Sequence, residues 1–365
     1  MNLKNELNDK QLEAVTTSSP YVRIIAGAGS GKTRVLTYRI AFLICEMKAN
    51  PRSIVAITFT NKVAKEMKER VQALLERENY PFQGLTISTF HSFCARFLRE
   101  EIYHLRYPTN FTIIDDEDQE KLIKELAAEE YSVRKSDPLI KQAISYICSN
   151  KTEGILPDDL QDKKPSFEGE KECIRLFTLY ENKLFETGNL DFDDLLLKTI
   201  QILEQFPDVK EKWRRRIDHI LIDEFQDTND IQYRLIQLLK KPDCSLYVVG
   251  DPDQTIYTWR GANQDIILDI HQRYQMETIV LDQNYRSTQT ILDTANRLIL
   301  HNKKRGKIYL RKTEKEIRFY FNPYSGRKMK LIGWQIRLKK LKERHVKVER
   351  ISPIMILLFY IALAI

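Results

Sequence analysis

Residues 26–33 read AGAGSGKT, and their surroundings decide the fold. The apolar run Tyr21 to Ile25 precedes them and Arg34 to Cys45, spaced as a helix, follows, so the order is strand, glycine loop, helix. Gly27, Gly29 and Gly31 let backbone amides turn inward onto phosphate oxygens, the following helix presents its positive end, and Lys32 adds a mobile cation. The Thr33 hydroxyl suits Mg²⁺. Ala28 and Ser30 complete the loop. Ala26 replaces the glycine that usually opens this pattern, a mild departure because the last residue of a strand need not take a positive φ. A chance glycine turn does not account for flanking elements in the required order.

Bulk properties bound what surrounds this loop. A chain of 365 residues has room for about two or three domains. Five scattered cysteines, Cys45, Cys94, Cys148, Cys173 and Cys244, form no CxxC pair, and no signal segment opens the chain. Together these point to a reducing, cytoplasmic setting without structural zinc. The net charge of +7 is unevenly spread: residues 302–365 hold 18 Lys and Arg against 4 Glu, which leaves residues 1–301 at −7. Overall basicity is therefore no sign that the main body binds nucleic acid, and that case rests on local residues.

In chain order, Leu7 to Val15 reads as a short amphipathic helix carrying Gln11, whose amide can read an adenine edge or simply be solvated. Ile54 to Phe59 and Leu85 to Ser88 read as buried parallel strands, each followed by a helix, Asn61 to Leu75 and Thr89 to Ile102. Their ends carry TFTN (58–61) and TFH (89–91), at the strand termini where open α/β sheets bind ligands. From about Phe111 to Gly188 charged helical stretches predict an inserted helical subdomain. Asn189 to Leu197 returns to the main fold with Asp191, Asp193 and Asp194, acids that first-turn capping explains better than a metal does. His219 to Ile222 runs into Asp223 and Glu224; carboxylates at the end of an apolar strand call for a metal or a solvent cleft, with Asp223 suited to the metal and Glu224 to water activation. The strand Leu246 to Val249 delivers Gln254, placed to touch a terminal phosphate, then Tyr257, Trp259 and Arg260, aromatics beside a cation that suit stacked single-strand bases. Either aromatic alone would read as core packing. After the strand Thr278 to Leu281 comes NYRST (284–288), where Arg286 is either a surface residue or a neutraliser of charge on a transferring phosphate.

The ordered set Gln11, AGAGSGKT, TFTNKVAKEMKERV, TFHSFCARFLR, LDFDDLL, LIDEFQDTN, VVGDPDQTIYTWRGA and NYRST resembles the UvrD/PcrA/Rep family of superfamily 1 DNA helicases, over about residues 7–310. The resemblance implies a RecA-like P-loop NTPase sheet in a first motor domain (1–110 and 189–282), a helical insertion (111–188) and the start of a second motor domain (283–311). It implies Gln11 and Tyr285 as adenine contacts, Lys32 on the β and γ phosphates, Thr33 and Asp223 on Mg²⁺, Glu224 as catalytic base, Gln254 as γ-phosphate sensor and Arg286 as an arginine finger. Phe59, Asn61, His91, Tyr257, Trp259 and Arg260 match positions lining a single-strand DNA track. The expected substrates are ATP and DNA that is single-stranded or carries a 3′ single-stranded tail, with 3′ to 5′ movement in repair or replication.

After about Arg311 the family pattern is lost in a basic stretch that ends in the apolar residues 354–365, too short for the roughly twenty that span a bilayer. The expectation is a truncated or frame-shifted product with a divergent tail over 312–365 and no membrane anchor. The competing functional reading is a fragment that binds ATP, and single-stranded DNA, without helicase activity.

Overall fold

The apolar runs anticipated as strands pair into one parallel sheet. In this computed structural model, which describes residues 1–134, 137–162, 164–258, 261–299, 329–331 and 334–336, six strands are ordered β3-β2-β6-β7-β1-β8. They are β1 (Tyr21–Ala26), β2 (Ile54–Thr58), β3 (Thr86–Thr89), β6 (His219–Ile222), β7 (Ser245–Gly250) and β8 (Glu277–Leu281). Ile57 lies opposite Ile222, Ile222 opposite Val248, and Ile24 opposite Val249.

Continuous apolarity is explained by burial on both faces, since alternate side chains point to opposite sides. Val22, Ile24, Ala56, Leu221 and Val249 pack with helices α2 (Lys32–Cys45) and α3 (Asn61–Arg77). Ile25, Val55, Ile220, Ile222 and Val248 pack on the other side with α4 (Phe90–Glu101), α8 (Phe192–Gln205), α10 (Asp230–Leu239) and α11 (Gln264–Tyr274). The N-terminal helix α1 spans Asp9–Thr16.

Between β3 and β6 the chain forms α5 (Asp116–Tyr131), α6 (Pro138–Glu153) and α7 (Glu170–Thr187), which enclose their own core around Ile147, Leu176, Phe177 and Tyr180. The strand expected at Phe111 to Ile114 shrinks to β4 (Thr112–Ile113). It pairs in parallel with the two-residue β5 (Asn189–Leu190), a pairing too short to leave an alternation signal. A further helix, α9, spans Pro207–Arg216.

Two compact units emerge, one of residues 1–26 and 31–281, the other of Gly27–Ser30 with the chain from Asp282 onward. The second contains α12 (Gln289–Ile299) and an antiparallel pair, β9 (Met329–Leu331) and β10 (Trp334–Ile336). Trp259, Arg260 and most of the tail expected to diverge over 312–365 lie outside the described residues. No helix among the described residues is long and apolar enough to cross a membrane.

Candidate nucleotide and nucleic-acid site

Sheet order assembles the nucleotide site. β6, β7 and β1 are neighbours, so whatever follows them in sequence converges at one edge: Asp223 and Glu224, then Asp251 to Gln254, then the glycine loop and Lys32. Gly31 caps α2 with φ +92°, a left-handed conformation that glycine adopts without strain. A Cβ there would lie 2.8 Å from Gln11 Nε2. Gly31→Ala is therefore expected to cost about 1–3 kcal/mol of local strain and to weaken nucleotide binding in a fluorescence titration; an unchanged affinity would show that the loop tolerates a side chain.

Lys32 is 8% exposed, and its Nζ lies 2.7 Å from Glu224 Oε2 and 3.4 Å from Gln254 Oε1. Thr33 Oγ1 donates to Asp223 Oδ2 at 3.3 Å, while Asp223 Oδ1 accepts from the Glu224 amide at 3.0 Å. Glu224 itself has φ +48°. Burial and the adjacent Glu224 push the Asp223 carboxyl up to about 7, against the pull of Lys32 and Thr33. A hydroxyl and a buried carboxylate side by side form an all-oxygen donor pair, the kind Mg²⁺ prefers, and a dication there would favour the ionised form.

Gln226 was not assigned a role from sequence, yet it ties the edge together. Its Nε2 donates to Glu224 Oε2 at 2.9 Å, and its Oε1 accepts from the Asp251 amide at 3.0 Å. Asp251 in turn accepts from the Gln254 amide nitrogen Nε2, which fixes that side chain. Gln11, expected to be either an adenine reader or a solvated residue, is 3% exposed and belongs to a capping box with Asn8.

Within the second unit, Tyr285 N donates to Gly29 O at 2.9 Å, and Asn284 donates to Ala28 O while accepting from the amides of Arg286 and Ser287 at 2.8 Å each. A Cβ on Gly29 would meet Arg286 Cβ at 2.5 Å. Tyr285 and Arg286 are themselves exposed.

The residues matched to a DNA track form two aromatic pairs. Phe59 and Tyr257 stack with ring centroids 5.5 Å apart and planes at 19°. His91 meets Phe192 edge-on at 5.5 Å, and Phe192 is 51% exposed. Asn61 accepts at Oδ1 from the hydroxyls of Thr89 and Ser92, at 3.4 and 3.3 Å. Phe192 was passed over because the acids around it dominate that stretch of sequence.

Those acids do more than cap. Asp191 is the N-cap of α8 in a reciprocal capping box with Asp194, as expected. Glu181, Asp191 and Asp194 also converge closely enough to hold a cation, and the cation among them is Lys151. Its Nζ donates to Glu181 Oε1 and Asp191 Oδ2 at 2.7 Å each and to Asp194 Oδ1 at 2.8 Å. Burial alone would lower the Lys151 pKa, but Asp194, Asp191 and Glu181 hold it well above the usual lysine value. Burial also pushes Asp193 up to about 7, with Asp191 adding to the shift. The capping explanation is thus correct but incomplete, because the lysine that completes it stands forty residues upstream in a helix of the insertion.

A parallel sheet that sets a glycine loop, a lysine–threonine pair and two adjacent acids along one edge defines a RecA-like α/β domain. Comparison with known families is narrower: the UvrD/REP helicase N-terminal domain matches residues 7–275, and the chain belongs to that family. It is 44% identical over 334 residues to the "Probable DNA helicase II homolog" of Mycoplasma capricolum, a match covering 90% of this chain and 44% of that relative. It is 43% identical to the "ATP-dependent DNA helicase PcrA" of Staphylococcus epidermidis and 42% identical to "DNA helicase II" of Haemophilus influenzae, covering in each case 83% of this chain and 41% of the relative. The chain thus spans less than half the length of these relatives, and the Mycoplasma match extends into the residues beyond Arg311.

Proposed function

We propose that this chain binds ATP with Mg²⁺ at the glycine loop and single-stranded DNA along the aromatic pairs, and that it is the first motor portion of an ATP-driven 3′ to 5′ DNA translocase serving repair or replication. The observation that supports this best is the meeting of Lys32, Thr33, Asp223, Glu224 and Gln254 within hydrogen-bond or ion-pair reach of one another. Lys32 binds the β and γ phosphates, the loop amides cradle them, and Gln254, anchored by Asp251, senses the terminal one. Glu224, held by Gln226, orients the attacking water and accepts its proton. Thr33 and Asp223 would hold Mg²⁺, which when bound supplies positive charge to the phosphate oxygens. Gln11 and Tyr285 contact the adenine, and Arg286 neutralises charge on the transferring phosphoryl group.

For the strand, Phe59 with Tyr257 and His91 with Phe192 offer faces on which bases stack, which is tolerant of sequence because every base has a π-face. Asn61, Trp259 and Arg260 add polar and cationic contacts.

The chain's coverage of less than half of its relatives' length favours a second reading for the 365-residue polypeptide acting alone: capture of nucleotide and strand with little turnover. Phosphate release measured with and without an unstructured single-stranded oligonucleotide separates the two. Strong stimulation by the strand supports a motor complete in itself. Binding of both ligands with turnover far below that of a two-domain enzyme, the outcome we expect, supports capture. Failure to bind Mg-nucleotide would overturn both.

A further inference from the structure

The C-terminal turn of α6 belongs to the helical insertion, yet it touches both elements that carry the aromatic pairs. Lys151, 1% exposed, donates to Asp191 and Asp194, which flank Phe192 at the start of α8. One residue on, Thr152 approaches Gly261, in the segment that begins with Tyr257: a Cβ on Gly261 would lie 3.3 Å from Thr152 Cγ2. Gly154 ends α6 with φ +78°, where any side chain would run into Ile231 of α10.

The ion cluster is built to hold α8 in one place. Asp191 Oδ2 accepts from Lys151 Nζ at 2.7 Å and from the Tyr180 hydroxyl at 2.9 Å, while its Oδ1 caps the Asp194 amide at 2.9 Å. Glu181 also takes Lys198 Nζ at 3.4 Å, so a second lysine, from α8 itself, closes the network. A surface helix start needs only its cap. Burying an ammonium among three carboxylates costs desolvation, and where such groups persist they fix geometry better than they add stability. What emerges from this fixed turn is Phe192, half exposed and edge-on to His91.

We propose that Lys151 is a positioning residue for strand binding: by clamping Asp191 and Asp194 it sets Phe192 against His91, so that the insertion and the motor sheet present their aromatics as one surface to a single strand. This rests on the reading above that the aromatic pairs bind single-stranded DNA.

The test uses the full chain, a fluorescein-labelled oligodeoxythymidylate read by anisotropy, and a fluorescent nucleotide titrated with Mg²⁺. Lys151→Met is expected to raise the oligonucleotide Kd about tenfold, the range expected for loss of one stacked base, with nucleotide affinity unchanged. Phe192→Ala should do the same. The double variant should bind no more weakly than Phe192→Ala alone, because Lys151 acts through Phe192; a purely structural lysine would add its own penalty. Where Lys151→Met does not fold, Tyr180→Phe removes one donor to Asp191, leaves the ion cluster intact and should still raise the oligonucleotide Kd. A parent chain that binds the oligonucleotide while Lys151→Met or Tyr180→Phe binds equally well overturns this inference alone, as does a double variant whose penalty is the sum of the two. A parent chain that does not bind the oligonucleotide overturns the strand-binding reading and this inference with it.

Discussion

Lys32→Ala is expected to reduce affinity for Mg-ATP by one to two orders of magnitude, the largest binding effect of any single substitution in the chain. A charge-assisted hydrogen bond contributes about 1.5–3 kcal/mol, and Lys32 would make more than one with the phosphates. The loss does not stop there. Lys32 Nζ lies 2.7 Å from Glu224, and Asp223 is buried beside it. Without the lysine, two carboxylates face the triphosphate with no intervening cation, and like charges at this depth are poorly screened. Isothermal titration with a non-hydrolysable analogue measures the effect. Equal affinity in the alanine variant and the parent would mean that the loop does not bind phosphate through Lys32.

Glu224→Gln should separate binding from chemistry. The substitution keeps the side chain's shape and an oxygen able to accept from Gln226 Nε2, now 2.9 Å away, so the edge of the site stays assembled. It removes the proton acceptor, and general-base catalysis contributes about 10²–10⁴-fold. Phosphate release in the presence of saturating single strand should fall by that factor. Nucleotide affinity should hold or improve, because Lys32 loses an anionic competitor. Turnover within roughly threefold of the parent would exclude Glu224 as the base.

Much of the first motor sheet was legible because its strands are buried on both faces. IVAIT and HILI carry a continuous apolar signal, and each ends in a polar residue that physical chemistry must account for. Asp223, Glu224 and Lys32 could be singled out individually, since charges at strand ends and beside glycines are costly without a ligand. The connecting groups were harder to see. Gln226 bridges two strand ends, and nothing in a lone glutamine announces which amide it will meet. Lys151 looks like any helical lysine until α6 is folded against α8; its burial is a property of the packing of the insertion, which periodicity does not encode. Phe192 was hidden by the acids on either side, whose capping role is local and therefore readable, while an exposed ring next to His91 is a tertiary fact.

The strand order has a consequence for how the chain reaches this state. β6 sits between β2 and β7, yet Ile54 of β2 pairs with His219, and all of the insertion lies between them. As the chain leaves the ribosome, one edge of β2 stays open until α5 to α9 have been made, an interval in which an apolar strand edge is free to pair wrongly. Such distant pairing carries a loop-closure cost before it is repaid, which slows folding. Lys32 therefore emerges early and waits for Glu224. Because nucleotide binds the finished sheet and not its earlier stages, free ATP at a hundred times its Kd would add about 2.7 kcal/mol to the completed fold, and the ligand would serve as a late staple on a sheet whose middle strand is inserted after both of its flanks were begun.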